Sequence, residues 1–88
     1  MRIKEGYVVR EFLDEIMVLP VGHMADRQKM IIALSKTGAF VWEQLQKETT
    51  YEAVLQAVLN KFDVTEEVAD ADLRQFMDKL RKEGLLCE

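Results

Sequence analysis

The sequence predicts an α+β fold in which a three-stranded antiparallel β-meander is followed by a three-helix bundle. Up to residue 34 the chain contains three short runs of β-branched and aromatic residues, separated by brief turn-like segments. From residue 35 onward the apolar period changes from two to about 3.6. A capping residue stands before each of three apolar stripes, so each helix has its own start signal. Residues 1–88 are predicted to form one domain.

The predicted strands lie at residues 7–12, 15–19 and 30–34. Gly6 leads into the first strand, Leu13 and Asp14 form the turn to the second, and Pro20 ends the second. Residues 21–29 are mostly polar or small and predict a loop, whose role stays open. Consecutive strands with short connections usually pair as neighbours, so we expect the order 1-2-3 with the first and third strands at the edges.

The third predicted strand is the segment on which the functional interpretation depends. Its residues are Met30, Ile31, Ile32, Ala33 and Leu34. Because it has a neighbour on one side only, its outer N–H and C=O groups are available to another extended chain. Proline and charged residues, which commonly protect such an edge, do not occur in this run. We therefore expect the edge to accept a peptide as an additional strand.

The first two helices have weaker signals than the third. Ser35 is the predicted N-cap of a helix over residues 36–46, and Thr49 with Glu52 has the spacing of a capping box for the second helix. Phe62 is expected to fold back on the second helix. Their apolar stripes are Val41, Trp42 and Leu45 in the first helix, and Val54, Leu55, Val58 and Leu59 in the second.

The third helix has consistent start and stop signals. Thr65 is its predicted N-cap, and Glu66 and Glu67 in the first turn suit the positive end of the helix dipole. Gly84 fits the C′ position, where Leu85 can contact the last turn in a Schellman motif. The core stripe is Ala69, Leu73, Phe76 and Leu80.

One flank of this third helix is predicted to form the other wall of a peptide groove. Met77 keeps that flank apolar, in line with Asp70, Arg74 and Arg81, whereas the opposite flank is polar. The candidate peptide-binding side chains are Asp70, Leu73, Arg74, Met77 and Arg81. The flexible thioether of Met77 would adapt to varied apolar partners, and the arginines would pair with acidic peptide residues. On this interpretation Met77→Asp weakens peptide binding and leaves the fold intact.

A purely structural alternative stays open for the same residues. Met77 would then be peripheral core, and Ile31 and Ala33 would only cover the sheet. The opposite flank of the third helix consists of Asp72, Gln75 and Lys79. Its polarity is typical of a solvated surface.

Composition and charge argue against several function classes. The net charge is −4, and residues 63–83 contain seven acidic and four basic side chains, the wrong sign for a winged-helix DNA-binding protein. His23 is the single histidine and lies in the loop, and the single cysteine, Cys87, is expected to be an exposed thiol in a frayed tail. We find no catalytic constellation, metal site or cofactor motif. The chain lacks a membrane span or signal peptide, so we expect a cytoplasmic location.

Several ordered segments resemble proteins of the PqqD-like family. Residues 34–45, LSKTGAFVWEQL, are similar to the family's Leu-Asn-x-Thr-Gly-x-x-Ile-Trp-x-x-Leu segment, with Ser35 in place of asparagine. Residues 50–54, TYEAV, resemble Thr-Val-Glu-Glu-Ile. Residues 63–64 and 72–86 resemble the ending Tyr-Asp-Val … Asp-Val-x-x-Phe-Leu-x-x-Leu-x-x-x-Gly-Leu-Leu, with Met77 in place of leucine. Residues 21–29 match none of these segments.

This resemblance implies a recognition domain for ribosomally made, post-translationally modified peptides. Such domains hold the leader segment of a precursor peptide as a strand added to strand three, against helix three. They present the precursor to a modifying enzyme such as a radical S-adenosylmethionine protein, a cyclase or a leader peptidase. The resemblance implies no catalysis and no cofactor, a free-standing protein at this length, and a monomer or homodimer. A winged-helix nucleic-acid-binding protein and a structural subunit of an enzyme complex remain the alternatives.

Overall fold

The computed structural model describes residues 1–22 and 32–88, which form five strands and three helices. In chain order the elements are β1 (Arg2–Ile3), β2 (Tyr7–Phe12), β3 (Glu15–Pro20), β4 (Ile32–Leu34), α1 (Lys36–Gln44), α2 (Tyr51–Lys61), α3 (Glu66–Lys82) and β5 (Leu86–Cys87). Strands β2, β3 and β4 form an antiparallel sheet in that order, so the predicted meander followed by helices is confirmed. Neither described range contains a helix long and apolar enough to cross a membrane.

The predicted third strand is only partly within the described residues. Ile32, Ala33 and Leu34 form β4, whereas Met30 and Ile31 lie outside the described ranges. The same holds for His23 and the rest of the predicted loop beyond Gly22. Within the described residues the predicted strand edge is therefore β4 alone.

The β2–β3 hairpin fixes which face of the sheet contacts the helices. Leu13 adopts φ 57° in the two-residue turn, and the register pairs Phe12 with Glu15. Side chains alternate between the two faces of a strand, and Val18 and Ile32 are paired and buried. This inner face packs on the helices, while Ala33 and Phe12 project from the outer face and are exposed.

A hydroxyl side chain caps each of the three helices in the described ranges. Ser35 Oγ accepts a hydrogen bond from the Gly38 amide at 3.0 Å, and Thr50 and Thr65 cap α2 and α3 in the same way. The prediction of Thr49 as the α2 cap is wrong by one residue. Thr49 instead pairs with the backbone of Met1, which holds it outside the helix.

The C-terminus of α3 forms the predicted Schellman motif. The Leu85 amide donates to the Leu80 carbonyl at 2.8 Å, and the Gly84 amide donates to the Arg81 carbonyl at 3.0 Å. Gly84 has φ +74°, a conformation that glycine adopts without the steric cost of a side chain. Leu80 and Leu85 are both buried, so the end of the helix is packed as well as hydrogen bonded.

A small two-stranded sheet was not predicted. Strands β1 and β5 pair antiparallel, with Arg2 opposite Cys87 and Ile3 opposite Leu86. Cys87 is half-buried in this sheet, so the prediction of a frayed tail with an exposed thiol is wrong. Strands of two residues are too short to show a period of two, and the pairing joins distant parts of the chain.

Candidate functional site

Strand β4 forms one margin of the three-stranded sheet, and β3 is its strand neighbour within the described ranges. The tight turn makes Phe12 and Glu15 a hydrogen-bonded pair, and such pairs alternate along an antiparallel ladder. The alternation continues across β3, so Ile32 and Leu34 bond to β3 and Ala33 directs its N–H and C=O to the outer margin. Ala33 therefore offers a donor and an acceptor to an incoming strand.

A cavity of about 450 Å³ lies beside the end of β4. One wall is the start of α1, with Ser35, Thr37 and Gly38. A Cβ atom at Gly38 would lie 3.4 Å from Cε1 of Phe76 and 3.3 Å from Ser35 Oγ, which is a tight fit. The missing side chain at Gly38 thus lets the aromatic ring of α3 approach the first turn of α1.

The opposite wall of the cavity is one flank of α3. Asp72, Gln75, Phe76 and Lys79 line it, and Leu73 forms part of its buried floor. These positions follow the i, i+3, i+4, i+7 spacing of one helix face. We call this set of four residues the open flank of α3.

The end of α2 and the connection to α3 complete the cavity. Phe62 folds back as predicted and makes an edge-to-face contact with Phe40, with ring centroids 5.5 Å apart. Val58 and Val64 also line this end, and Val64 is 41% exposed. The cavity therefore combines an apolar floor with polar and charged residues at its rim.

The flank of α3 around Met77 does not face this cavity. Met77 is 1% exposed and belongs to the core, so the prediction that it faces an open groove is wrong. The structural alternative for Met77 holds instead. Met77 belongs to the core cluster, and both α2 and the C-terminal strand contact α3.

Asp70 and Arg74 connect this covered side of α3 to α2. The Tyr51 hydroxyl donates to the Asp70 carboxylate, and Arg74 Nε donates to the same carboxylate at 2.9 Å. The Arg74 guanidinium also lies over the Tyr51 ring, 5.3 Å from its centroid. Burial, together with the hydrogen bond to Asp70, raises the pKa of Tyr51 to about 12. The hydrogen bonds from Tyr51 and Arg74 lower the pKa of Asp70.

Arg81 is paired near the C-terminus. Its Nε and Nη2 atoms donate to the two carboxylate oxygens of Glu88 at 2.9 Å, and Nη1 donates to Asp78 at 3.0 Å. The hydrogen bond to Glu88 raises the pKa of Arg81. We call Asp70, Arg74, Met77 and Arg81 the packed flank of α3. Peptide binding by Arg74 or Arg81 stays a prediction, and it would require exchange of their present partners.

Sequence reasoning therefore selected the less accessible side of α3. It missed Phe76 as a cavity residue by assigning it to the core stripe, and it set aside Asp72, Gln75 and Lys79 as solvated surface. Gly38 was the one signal in the sequence that could have indicated this cavity. A glycine within the first turn of a helix lowers helix propensity and often marks a close approach of another group.

Comparison with known proteins identifies the fold and the family. One similar solved structure is described as "TbiB1 in Complex with the TbiA(beta) Leader Peptide"; its TM-score is 0.74 at 23% sequence identity, over 98% of this chain and 94% of that chain. That likeness concerns the fold. A search of curated proteins gives no match. A family model described as "Coenzyme PQQ synthesis protein D (PqqD)" matches residues 15–86, and the chain therefore belongs to the PqqD family.

Proposed function

We propose that this chain binds the leader segment of a ribosomally synthesised precursor peptide as an added strand on β4. Peptide side chains on one face would enter the cavity beside the open flank of α3, and the bound precursor would be presented to a modifying enzyme. The observation that carries the proposal is the outward N–H and C=O of Ala33 on β4, together with a cavity of about 450 Å³ that begins at Ser35, directly after this strand. Membership of the PqqD family and the leader-peptide complex of a protein with the same fold support it.

Main-chain pairing alone supplies only part of the required affinity. Each hydrogen bond to an incoming strand contributes about 0.5–1.5 kcal/mol net, whereas a micromolar complex needs about 8 kcal/mol. Side chains must therefore contribute much of the remainder and most of the selectivity. The cavity falls within the roughly 300–1,000 Å³ that is usual for ligand sites. Its apolar floor suits the side chain of a leucine, isoleucine or phenylalanine from the peptide.

The roles of the strand residues differ in this proposal. Ala33 provides the outward backbone groups, while the side chains of Ile32 and Leu34 are buried and hold β4 on the core. Leu73 contributes to the cavity floor from α3. Met30 and Ile31 precede β4 and would extend the pairing, but they lie outside the described residues. The role is one of binding and presentation, without catalysis by this chain.

An NMR titration tests the site directly. The ligand is a synthetic leader peptide from a short precursor gene next to the gene for this protein. We expect amide shifts concentrated on β4, on the first turn of α1 and on residues 72–79. Shifts confined to Tyr51, Arg74 and Arg81 would place the peptide on the packed flank, and no shifts with the cognate leader would contradict leader binding altogether.

The same experiment separates the other candidate functions. A winged-helix nucleic-acid-binding protein would show salt-dependent shifts with an arbitrary DNA duplex and none with the peptide. A structural subunit would bind the modifying enzyme tightly and show no affinity for the isolated leader. A radical S-adenosylmethionine protein, a cyclase or a leader peptidase is the partner enzyme to test.

A further inference from the structure

Two charged side chains on the open flank lack ionic partners within the described ranges. Asp72 and Lys79 are exposed and line the cavity, and neither forms an ion pair with residues 1–22 or 32–88. The packed flank differs, because Arg74 and Arg81 are each paired within the chain. The charges of Asp72 and Lys79 at the cavity are therefore available to a ligand.

The spacing of these charges matches an extended peptide. Lys79 follows Asp72 by seven positions along the helix, which corresponds to about 10.5 Å along the axis at 1.5 Å per residue. Side chains on one face of a strand repeat every ~6.8 Å, so residues two positions either side of an anchor are ~13.6 Å apart. The length of a lysine side chain covers the difference. Phe76 lies between the two charged residues on the helix and also lines the cavity.

We propose that Asp72 and Lys79 determine which leader segments this chain accepts. The preferred segment has an apolar anchor residue in the cavity, a lysine or arginine two positions to one side and an aspartate or glutamate two positions to the other. The basic residue pairs with Asp72 and the acidic residue with Lys79. This inference rests on the proposed function, and it adds the charge pattern of the ligand.

The apolar character of the cavity agrees with this division of roles. Its floor residues Ala69 and Leu73 are buried and carry no polar side-chain atoms, so they favour an apolar anchor and do not select its flanking residues. Asp72 and Lys79 stand at opposite ends of the rim. A peptide with the reversed charges would place like charges together at both ends, which disfavours the wrong partner.

The expected effect of each charge pair is modest. An exposed ion pair changes affinity by about 1.5- to 5-fold, and reversal of one charge replaces attraction by repulsion. We therefore expect about 3- to 10-fold weaker binding for Asp72→Lys or Lys79→Asp with a peptide of the preferred pattern. The loss should become smaller at high salt because these side chains are solvent-exposed.

A selection from a random-peptide library tests the inference without a known ligand. The probe is an mRNA-displayed library of 12-residue peptides, selected against the whole protein and against Asp72→Lys, Lys79→Asp and the double reversal. Glu43→Lys on α1 and Lys47→Asp after α1 are matched controls, because both residues are exposed and neither lines this cavity. Circular dichroism and thermal unfolding confirm that each variant is folded.

The expected result is a change of selected charge that follows the substitution. The unmodified protein and both controls should enrich a basic and an acidic residue on opposite sides of an apolar anchor. Asp72→Lys should enrich an acidic residue in place of the basic one, and the double reversal should exchange both.

Two contrary results have different meanings. Enriched peptides that bind the cavity but show no charge preference, or one unchanged by reversal, would overturn this inference and leave leader binding intact. Failure to enrich any peptide that shifts β4 and α3 resonances would overturn the proposed function and, with it, the inference.

Discussion

The two flanks of α3 differ in burial and in ion pairing, although both belong to one amphipathic helix. The packed flank places Met77 in the core and engages Arg74 and Arg81 in ion pairs with the chain itself. The open flank places Phe76, Asp72 and Lys79 at a cavity beside the sheet margin. Met77 adds to the buried apolar surface of the core, whereas Val68 on the same helix stays 51% exposed. The flank whose polarity suggested only a solvated surface is the one that lines the cavity.

The largest expected effect comes from a charge at Met77. Met77→Asp would place a carboxylate without a partner in the core, which costs several kcal/mol out of a total stability of about 5–15 kcal/mol. We expect the variant to be unfolded or molten by near-UV circular dichroism, and Met77→Ala to lose about 2–5 kcal/mol in urea unfolding. A folded Met77→Asp variant that loses only peptide binding would restore the packed flank as the groove.

The second-largest expected effect is a loss of leader binding at the outer margin of β4. Ala33→Pro removes the outward N–H and adds a ring where the peptide would lie, while the bonds of Ile32 and Leu34 to β3 are kept. We expect at least about tenfold weaker leader binding, equivalent to about 1.4 kcal/mol or more, by isothermal titration calorimetry. Ala33→Val is the matched control, because it retains the N–H and favours a strand.

Thermal unfolding accompanies that measurement. Both Ala33 variants should keep a cooperative transition near that of the unmodified protein. Equal leader affinity for the proline and valine variants would show that the peptide does not pair with this margin.

The cavity itself is probed at Phe76. Phe76→Ala removes an aromatic wall that an anchor residue would contact, and we expect about a tenfold loss of leader affinity, or about 1.4 kcal/mol. Phe76 is half-buried, so some stability is lost as well. Leu59→Ala is a useful control, since Leu59 is also half-buried against the core but does not line the cavity. Similar stability losses with a leader-affinity loss for Phe76→Ala alone would distinguish the ligand contact from general destabilisation.

Sequence patterns predicted the fold well where the signal is local. The caps Ser35 and Thr65 and the Schellman glycine Gly84 each depend on a few neighbouring residues, and the structure confirms them. The β1–β5 sheet depends on two-residue strands from opposite ends of the chain, and no local signal reports it.

The candidate site was harder to predict because it also depends on contacts between distant parts of the chain. The face of a helix that meets its neighbours can be read from apolar spacing, and Leu73 and Leu80 followed it. The choice between two flanks of that face depends on where α2 and β5 lie, which is a tertiary property. Polarity does not decide between the flanks, because the rim of a cavity is polar too, as Asp72 and Lys79 illustrate.

The smallest expected effect is the pH dependence of stability that comes from the Tyr51–Asp70 pair beside the packed flank. The pKa of Tyr51 is raised to about 12 in the folded protein. The contribution of Tyr51 to the free energy of unfolding is therefore complete below the ordinary pKa of 10.0 and is lost as pH rises from there towards 12. The pKa of Asp70 is lowered, so this residue affects stability at acid pH. Its contribution to the free energy of unfolding is present above the ordinary pKa of 3.8 and is lost as pH falls through the folded-state pKa.

Tyr51→Phe tests both the sign and the location of this effect. The substitution should cost about 0.5–1.5 kcal/mol at pH 7 through the lost hydrogen bond, and it should reduce the alkaline loss of stability in urea titrations between pH 9 and about 12. Leader affinity at pH 7 should be unchanged, because the Tyr51 hydroxyl bonds to Asp70 on the covered side of α3 and does not line the cavity. A marked loss of leader affinity in a stable Tyr51→Phe variant would mean that the two flanks are not functionally separate.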